Sequence, residues 1–317
     1  MKRIGVIEIG SRGVRLLVAE ASENSLQVLL RRYDSDVKLA EAVESDAAQL
    51  SVVVSAVRQT IKRYLQICRE AGVTEVRIFG TEAVRKLRQK SRRHFLALSR
   101  NLPGFKVLRP RDEAYYSLEA AVRSLPHLVR DGDTVLVIDQ GAGSMEVALG
   151  RIDRASVQML AHKSYRLGTQ VLVSRLRTLG GDFHRLTEWI ALDIDDKPLR
   201  GSAAVKKTVI LGSAVTKLAW LSLGPKRGER YSPQRVHGLT LTRKIIERFI
   251  AAGIVPGSLM RSIVDPENPA SGEFEAVVAG LIAINLLLSR YKKDEFVVCA
   301  EALRYGIAWA LARGEAL

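Results

Sequence analysis

The 317-residue sequence has few cysteines, few aromatic residues and no long apolar run. Its two cysteines, Cys68 and Cys299, lie far apart and form no Cys-x-x-Cys pair. This pattern excludes a disulfide framework and predicts a cytoplasmic location. The five histidines are scattered, with no HxxxH pair and no Cys/His cluster, which argues against a zinc site.

No segment has the pattern of a leader or of a membrane span. The N-terminal stretch MKRIGVIEIGSRG reaches glycine and charge too early for a signal peptide. The longest apolar run, residues 276–288, is shorter than the roughly 20 residues that a membrane helix needs. We therefore expect this run to form a buried helix and expect no membrane partner.

Basic residues are abundant. There are 49 Lys and Arg against 34 Asp and Glu, which gives a formal net charge of +15. Such an excess favours polyanionic partners: nucleic acid, an acidic membrane surface or a phosphorylated substrate. Hydrophobic residues make up 47% and charged residues 26%, a globular balance that excludes a disordered or collagen-like chain. The length predicts two domains of roughly 150 residues each.

The hydrophobic pattern predicts one order of α/β elements twice. The first series has strands at 4–9, 14–19, 26–33, 76–80 and 106–108, with helices at 47–71, from 82 and at 112–124. The second series has strands at 134–139, 145–152, 155–165, 209–211 and 295–299, with helices at 168–179, 183–192, 214–221 and in most of the chain from 242.

The repeat is visible in the residues themselves. Segment 4–10 aligns with 135–141, so that Glu8 falls on Asp139 and Gly10 on Gly141. Segment 14–18 aligns with 145–149 beyond the loop. We expect two copies of one α/β domain that face each other, divided as 1–128 and 129–317. The last helix, at about 301–313, is expected to pack back on the first domain.

The two glycine loops predict an anion site. Gly141-Ala142-Gly143 resembles the start of a dinucleotide fingerprint only weakly, because that fingerprint opens a helix, whereas 145–152 alternates like a strand. A tight loop between strands instead directs backbone N–H groups into a concave nest for an anion. The acidic residue at the end of the strand that precedes each loop can hold a cation beside the anion. Two such loops across a cleft would grip a phosphate chain and its metal.

Seven segments, in unbroken order, resemble motifs of the exopolyphosphatase / guanosine pentaphosphate phosphatase family. Two of them, 8–16 and 139–146, resemble its phosphate loops, Asp-x-Gly-Ser-Asn-Ser-x-Arg-Leu and Asp-x-Gly-Gly-Gly-Ser-Thr-Glu. The other matching segments are Thr81-Glu82-Ala83-Val84-Arg85, Asp112-Glu113-Ala114, Ser164-Tyr165-Arg166-Leu167-Gly168, Leu211-Gly212-Ser213-Ala214-Val215-Thr216 and Leu303-Arg304-Tyr305-Gly306.

The resemblance implies an α/β fold of two ribonuclease-H-like domains flanking a cleft, as in the actin / sugar kinase / heat-shock chaperone superfamily. It also implies Mg²⁺-dependent removal of terminal phosphate from polyphosphate or a guanosine polyphosphate. Glu113 would orient or deprotonate the attacking water, and Asp139, Glu146 and Glu8 would hold the metal. The phosphate-binding residues would be Gly10, Ser11, Arg12, Gly13, Arg85, Gly141, Ala142, Gly143, Ser144, Gly212 and Ser213.

The loops depart from the family pattern. Glu8 replaces an Asp, Arg12 an Asn and Gly13 a Ser, while Ala142 replaces a Gly and Met145 a Thr. Two functions therefore remain open. The chain is either a phosphohydrolase or a catalytically weakened relative that binds polyphosphate or a guanosine nucleotide as a sensor. A sugar or acetate kinase is a third class, which the missing adenosine motif disfavours.

Ordinary structural roles stand beside these assignments. Glu8 and Asp139 can simply end strands, and Glu113 can be a first-turn acid that the helix dipole favours. The basic run at 85–93 is either a solvated helix face or a track for a long polyanion. Nucleic acid is a disfavoured partner, because no recognition motif or aromatic stacking platform is evident. A homodimer is a further prediction.

Overall fold

The computed structural model describes residues 1–34, 37–128, 130–153, 156–194, 197, 199–225, 229, 231–254 and 272–315. These residues form two compact units, Met1–Ala120 with Leu303–Leu317, and Ala121–Ala302. The sequence-based division at 128/129 stays a prediction. The predicted strand start at residue 155 and the part of the C-terminal helical pattern at 255–271 fall outside the described residues.

The first unit is built on a five-stranded mixed sheet with the order β3-β2-β1-β4-β5. Its strands are β1 Lys2–Ile9, β2 Val14–Ser22, β3 Ser25–Asp34, β4 Glu75–Gly80 and β5 Phe105–Val107. The helices that follow in this part of the chain are α1 Leu39–Val43, α2 Ala47–Glu70, α3 Glu82–Lys90, α4 Arg92–Ser99 and α5 Pro110–Ser124.

The second unit has a six-stranded sheet with the order β10-β11-β9-β6-β7-β8. Its strands are β6 Thr134–Gln140, β7 Met145–Asp153, β8 Ser156–Tyr165, β9 Val205–Gly212, β10 Thr240–Thr242 and β11 Glu295–Cys299. The helices are α6 Thr169–Thr178, α7 Phe183–Asp193, α8 Ser213–Ser222, α9 Arg243–Gly253, α10 Glu273–Arg290 and, in the first unit, α11 Leu303–Ala312, with 3-10 turns at Ser202–Ala204 and Pro233–Val236.

The two sheets share one topology. In each, an antiparallel hairpin of three consecutive strands continues into two parallel strands: β3-β2-β1-β4-β5 and β8-β7-β6-β9-β11. The second sheet adds the short edge strand β10, which pairs antiparallel with β11. The predicted repeat and the α/β class are therefore confirmed.

Both faces of β1 are buried, which explains its continuous apolar run. Ile7 and Ile9 point into a core with α2, while Ile4 and Val6 point into a second core that includes Tyr116 of α5 and residues of α11. All four side chains are fully buried. This packing holds the last helix against the first sheet.

Helix α10 is the central helix of the second unit. Its apolar residues belong to one large core with β6, β7, β9 and β11, so the buried helix predicted at 276–288 is confirmed. Within the described ranges, no helix has the length and apolar character required to cross a membrane.

The predicted helix from residue 82 is two helices. Helix α3 ends at Lys90, and Ser91 adopts an extended conformation (φ −147°, ψ 92°) before α4 begins at Arg92. The His94 ring lies between two hydroxyls, with Nδ1 2.7 Å from Ser91 Oγ and Nε2 2.9 Å from Ser51 Oγ. This bridge ties the break to α2, a long-range contact that the local pattern does not reveal.

Candidate functional site

Two predicted metal ligands face each other in the second sheet. Asp139 near the end of β6 is directly opposite Glu146 of β7, and Glu146 is opposite Ser164 of β8. Ser164 Oγ donates to Glu146 Oε1 at 2.9 Å. On its other side, Asp139 is opposite Leu211 of β9, which is opposite Cys299 of β11; these opposed residues form one row across the sheet. The antiparallel register therefore brings two carboxylates and a hydroxyl into one line.

This carboxylate pair fits a hard cation. Opposed residues of an antiparallel pair have Cα atoms about 4.5–5.5 Å apart, and like charges at such positions repel. Glu146 is only 4% exposed, so solvent screens it poorly. Within the described part of the chain, no three His, Cys, Asp or Glu side chains are grouped to enclose a metal. Two carboxylates suit Mg²⁺, which usually keeps water and substrate phosphate as its other ligands.

The second glycine loop sits on the start of α6. Gly141 N donates to Ser144 O at 3.0 Å, which closes the turn. Thr169 N and Gln170 N donate to Gly141 O (3.0 Å) and Ala142 O (2.9 Å). Gly168 allows this approach, since a Cβ there would lie 2.4 Å from Ala142 O.

These hydrogen bonds orient the remaining loop amides. In a trans peptide the N–H points opposite to the preceding carbonyl, so the N–H groups of Ala142 and Gly143 point away from α6. Neither of these two N–H groups has an acceptor among the described residues. The loop thus presents a pair of backbone donors, the arrangement that holds an anion.

The third glycine motif lies beside the second. Gly212 is opposite Gln140 and has a φ of 122°, and a Cβ there would lie 2.5 Å from Gln140 O. The buried Gln140 side chain donates to Leu167 O (3.4 Å) and Gly280 O (3.2 Å). Helix α8 begins at the exposed Ser213. A glycine is therefore required for the approach of β9 to the end of β6.

The equivalent row of the first sheet carries mixed charge. Glu8 of β1 is opposite Arg15 of β2, and the row extends to Tyr33, Phe79 and Lys106. Arg15 Nη1 lies 3.3 Å from Glu8 Oε1, and Arg304 of α11 donates to Glu8 Oε2. Burial raises the pKa of Glu8, but Arg15 and Arg304 together outweigh it and lower the pKa below its ordinary value.

Both oxygens of Glu8 therefore have arginine partners. The Arg15 guanidinium also lies 4.6 Å from the centroid of the Tyr33 ring. This arrangement favours a positioning role for Glu8 toward the two arginines. It disfavours the predicted metal role, because a cation would have to displace a guanidinium.

The first glycine loop is closed like the second. Gly10 N donates to Gly13 O at 2.9 Å, and Ala40 N donates to Ser11 O at 3.1 Å. A Cβ on Gly10 would lie 2.9 Å from Arg15 Nη1, so this guanidinium lies against the loop. A Cβ on Gly13 would lie 2.1 Å from Asp34 O. Glycine at position 13, where the family has Ser, therefore permits the close approach of β3.

Glu113 lies in the first turn of α5 and is 6% exposed. Arg85 of α3 donates to Glu113 Oε1 and, at 2.7 Å, to Leu108 O. The neighbouring Asp112 has another role, since it accepts from Arg109 N (3.1 Å) and Arg109 Nε (2.9 Å) at the start of α5. Burial raises the pKa of Asp112, but the hydrogen bonds from Arg109 lower it by more, so the pKa lies below its ordinary value.

The structure adds residues to the predicted set. Arg15, Arg304 and Ser164 lie within the matched motifs, yet no role was predicted for them. Arg15 had a signal in the repeat, since it falls on Glu146 when the two halves are aligned. The contact of Arg304 with Glu8 had none, because the two residues are 296 positions apart.

Comparison with known proteins shows which family the chain resembles. The family model of the Ppx/GppA phosphatase family matches residues 17–313. Exopolyphosphatase 1 of Mycobacterium tuberculosis (strain H37Rv) is 28% identical over 150 residues, a match that spans 47% of this chain and 42% of that protein. Exopolyphosphatase 1 of Mycobacterium leprae is 21% identical over 96% of this chain and 88% of that protein.

Solved structures show the same fold. The Aquifex aeolicus member of the Ppx/GppA family has a TM-score of 0.76 at 24% identity, covering 99% of this chain and 98% of that one. An exopolyphosphatase from Cytophaga hutchinsonii has a TM-score of 0.77 at 18% identity, covering 99% of both chains. The predicted α/β fold of two ribonuclease-H-like domains is confirmed. The chain belongs to the Ppx/GppA phosphatase family.

Proposed function

We propose that the chain is a Mg²⁺-dependent phosphohydrolase that releases the terminal phosphate of inorganic polyphosphate or of a guanosine polyphosphate. The observation that carries this proposal is the carboxylate pair Asp139–Glu146, which lies at the end of the strands that flank the donor loop 141–144. Phosphoryl transfer needs a cation and fixed donors around a phosphoryl group, and these residues supply both kinds of group.

Asp139 and Glu146 are the proposed Mg²⁺ ligands. Bound there, the metal would neutralise charge on phosphate oxygens. Ser164 orients the Glu146 carboxylate through its hydroxyl at 2.9 Å. The amides of Ala142 and Gly143, with Ser144, would hold a phosphate group beside the pair. Gly212 and Ser213 would add donors from the start of α8.

In the first unit, the loop residues Gly10 to Gly13 and the Arg12 side chain are the proposed phosphate ligands. A guanidinium forms charge-assisted, often bidentate bonds with phosphate. Glu8 would hold Arg15 and Arg304 in place by its two ion pairs. Arg85 remains a proposed phosphate ligand through guanidinium donors other than those that contact Glu113 and Leu108.

Glu113 is the proposed general base. A base must reach the proton that it takes, within about 2.6–3.2 Å between heavy atoms or through one water. Arg85 fixes the Glu113 carboxylate through Oε1, which leaves Oε2 in a defined orientation. A carboxylate held in this way would orient and deprotonate a water for attack on the terminal phosphorus.

The second candidate is a sensor that binds polyphosphate without turnover, and Ala142 in place of Gly is the feature that favours it. Two observations weigh against it. Ala142 lies outside the left-handed backbone region, so its side chain causes no strain. Met145 is fully buried in the core of the second unit, on the other face of β7 from Glu146. We therefore favour the enzyme, and propose a cytoplasmic location and a homodimer with it.

Phosphate release from polyphosphate and from guanosine pentaphosphate, with and without Mg²⁺, tests the proposal. Mg²⁺-dependent release that disappears in Asp139→Asn is the expected result. Tight polyphosphate binding without release would establish the sensor. Neither binding nor release would reject both functions.

A further inference from the structure

The basic segment 85–93 is only partly used by the proposed site. Arg85 contacts Glu113, Lys86 pairs with Glu82 at 2.5 Å, and Lys90 pairs with Glu44 at 2.7 Å. These three cations are neutralised locally, so they provide no excess charge for a ligand beyond the site.

The other three cations of the segment form what we call the arginine triplet, Arg88, Arg92 and Arg93. All three side chains belong to exposed residues. No carboxylate among the described residues pairs with any of them, although Glu41 and Glu44 lie on the neighbouring α1 and its end. The triplet is therefore a patch of positive charge, within residues 88–93, that no described carboxylate neutralises.

The helices that carry the patch are held by hydrogen bonds to α2. His94 ties the α3–α4 junction to α2 through Ser91 and Ser51. Arg58 of α2 donates to Ala97 O (2.6 Å) and Leu98 O (2.9 Å) near the end of α4. Both ends of α4 are thus fixed to one helix, and the triplet is presented by an ordered surface.

One residue of the patch lies on the same helix as a residue of the candidate site. An α-helix rises about 1.5 Å per residue, so Arg88 lies roughly 5 Å along α3 from Arg85, which contacts Glu113. A chain whose terminal phosphate lies at Glu113 would therefore pass the triplet if it continues along α3. A nucleotide or a short oligophosphate would end before it.

We propose that the arginine triplet binds the distal phosphates of a long inorganic polyphosphate chain and so makes long polyphosphate the preferred substrate. This inference rests on the proposed function. Evenly charged polyphosphate needs only cations, whereas single-stranded nucleic acid also needs aromatic faces for base stacking. The segment 85–93 contains no aromatic residue, and Phe95, which follows it, is partly buried and lies against Phe105 with ring centroids 6.4 Å apart.

The test compares two triple variants of the full chain. Arg88→Gln, Arg92→Gln and Arg93→Gln remove the triplet. The matched control, Arg177→Gln, Arg185→Gln and Arg248→Gln, removes three exposed arginines of the second unit. Both change the net charge by the same amount. KM is measured for long-chain polyphosphate and for tripolyphosphate, and binding of both is measured separately in the Glu113→Gln background.

We expect the triplet variant to raise KM and Kd for long polyphosphate about tenfold, with little change for tripolyphosphate and little change in the control. Added salt should reduce the difference between wild type and variant. The binding measurement separates this inference from the proposed function, because long polyphosphate can bind the triplet even if no hydrolysis occurs.

Three results would overturn the inference: equal affinity of both triple variants for long polyphosphate, an equal loss for long and short substrates, or single-stranded RNA that competes as well as long polyphosphate. The second result would place the triplet at the terminal phosphate, and the third would identify a different polyanion as the ligand. Normal circular dichroism of both variants is the folding control.

Discussion

The two units carry different charge patterns at equivalent positions of their two sheets. In the first, Glu8 is opposite Arg15, and Arg304 adds a second cation. In the second, Asp139 is opposite Glu146, which accepts a hydrogen bond from Ser164 of the next strand. One cross-strand position thus decides whether the strand-end acid is opposite an arginine or opposite a second acid.

The difference assigns different chemistry to a shared architecture. A neutralised acid holds guanidinium groups against the first loop, where they suit an anion. A pair of carboxylates concentrates negative charge and suits a cation. The repeat alone suggests two equivalent sites, whereas the paired residues support our proposal that the second unit, and not the first, supplies the metal ligands.

The largest expected effect is on metal dependence. Asp139→Asn should reduce phosphate release to background, because it removes one of the two proposed metal ligands, and it should raise the Mg²⁺ concentration required for any residual activity. Glu8→Gln should leave the Mg²⁺ requirement unchanged even where it slows the reaction. Phosphate release over a Mg²⁺ titration measures both. Equal Mg²⁺ dependence of the two variants would remove the distinction between the units.

Glu113→Gln should lower the rate about 10²–10⁴-fold while leaving ligand affinity nearly intact. Glutamine keeps the shape and an acceptor for Arg85 but cannot take the proton. Single-turnover rates and polyphosphate affinity are the readouts. If the wild type is already as slow as this variant, the double substitution Ala142→Gly and Met145→Thr tests the sensor hypothesis. A higher rate of phosphate release when Glu113 is present, and not in Glu113→Gln, would support that hypothesis.

Glu8→Gln should reduce the free energy of unfolding by about 1.5–3 kcal/mol, because hydrogen bonds to two charged groups are weakened. The pKa of Glu8 is lowered in the folded protein. Its stabilising contribution is therefore present above the unfolded value, about 4.3, and is lost as pH falls through the lower folded value.

Denaturant unfolding from pH 6 to 3 measures this effect. The wild type should approach Glu8→Gln in stability as the pH falls. Parallel pH profiles of the two proteins would show that Glu8 has the same pKa in the folded and unfolded chain.

Arg12→Ala should weaken phosphate binding roughly tenfold or more, since a charge-assisted contact contributes about 1.5–3 kcal/mol. Arg100→Ala is a matched control, because Arg100 is an exposed arginine of the same unit at the end of α4, outside the glycine loops. Calorimetry with tripolyphosphate compares the two. Unchanged affinity in Arg12→Ala would exclude this side chain from the phosphate site.

The smallest effect concerns the metal-free protein. Asp139→Asn removes repulsion from Glu146 and should raise the free energy of unfolding in EDTA by about 0.2–1 kcal/mol. The gain should shrink when Mg²⁺ is present, because the metal stabilises only the wild-type pair. A loss of stability in EDTA would mean that Asp139 has a structural role outside the carboxylate pair.

Most of the elements with strong periodicity were predictable from the sequence. The helix at 47–71 is α2, and it is followed by Gly72 with a φ of 66°, the left-handed residue that ends many helices. Helix α1 was missed, because its five residues are too few to show a period. The break at Ser91 was missed because it depends on His94 and Ser51, on separate helices.

The candidate site also has a part that was predictable from the sequence and a part that was not. The motifs identified Asp139, Glu146 and Glu113, and the strand pattern was sufficient to place the first two beside one loop. The motifs also suggested a common metal role for Glu8 and Asp139. The structure distinguishes the two acids, because Glu8 has two arginine partners in the first unit.

By itself the sequence determined the repeated α/β order, the positions of the glycine loops and the family, because hydrophobic period and turn chemistry act over short stretches of chain. Tertiary structure decided the electrostatic role of each acid. Strand register places Glu146 opposite Asp139, and helix packing brings Arg304 to Glu8 across 296 residues. The charge that surrounds a carboxylate depends on neighbours that only folding brings together.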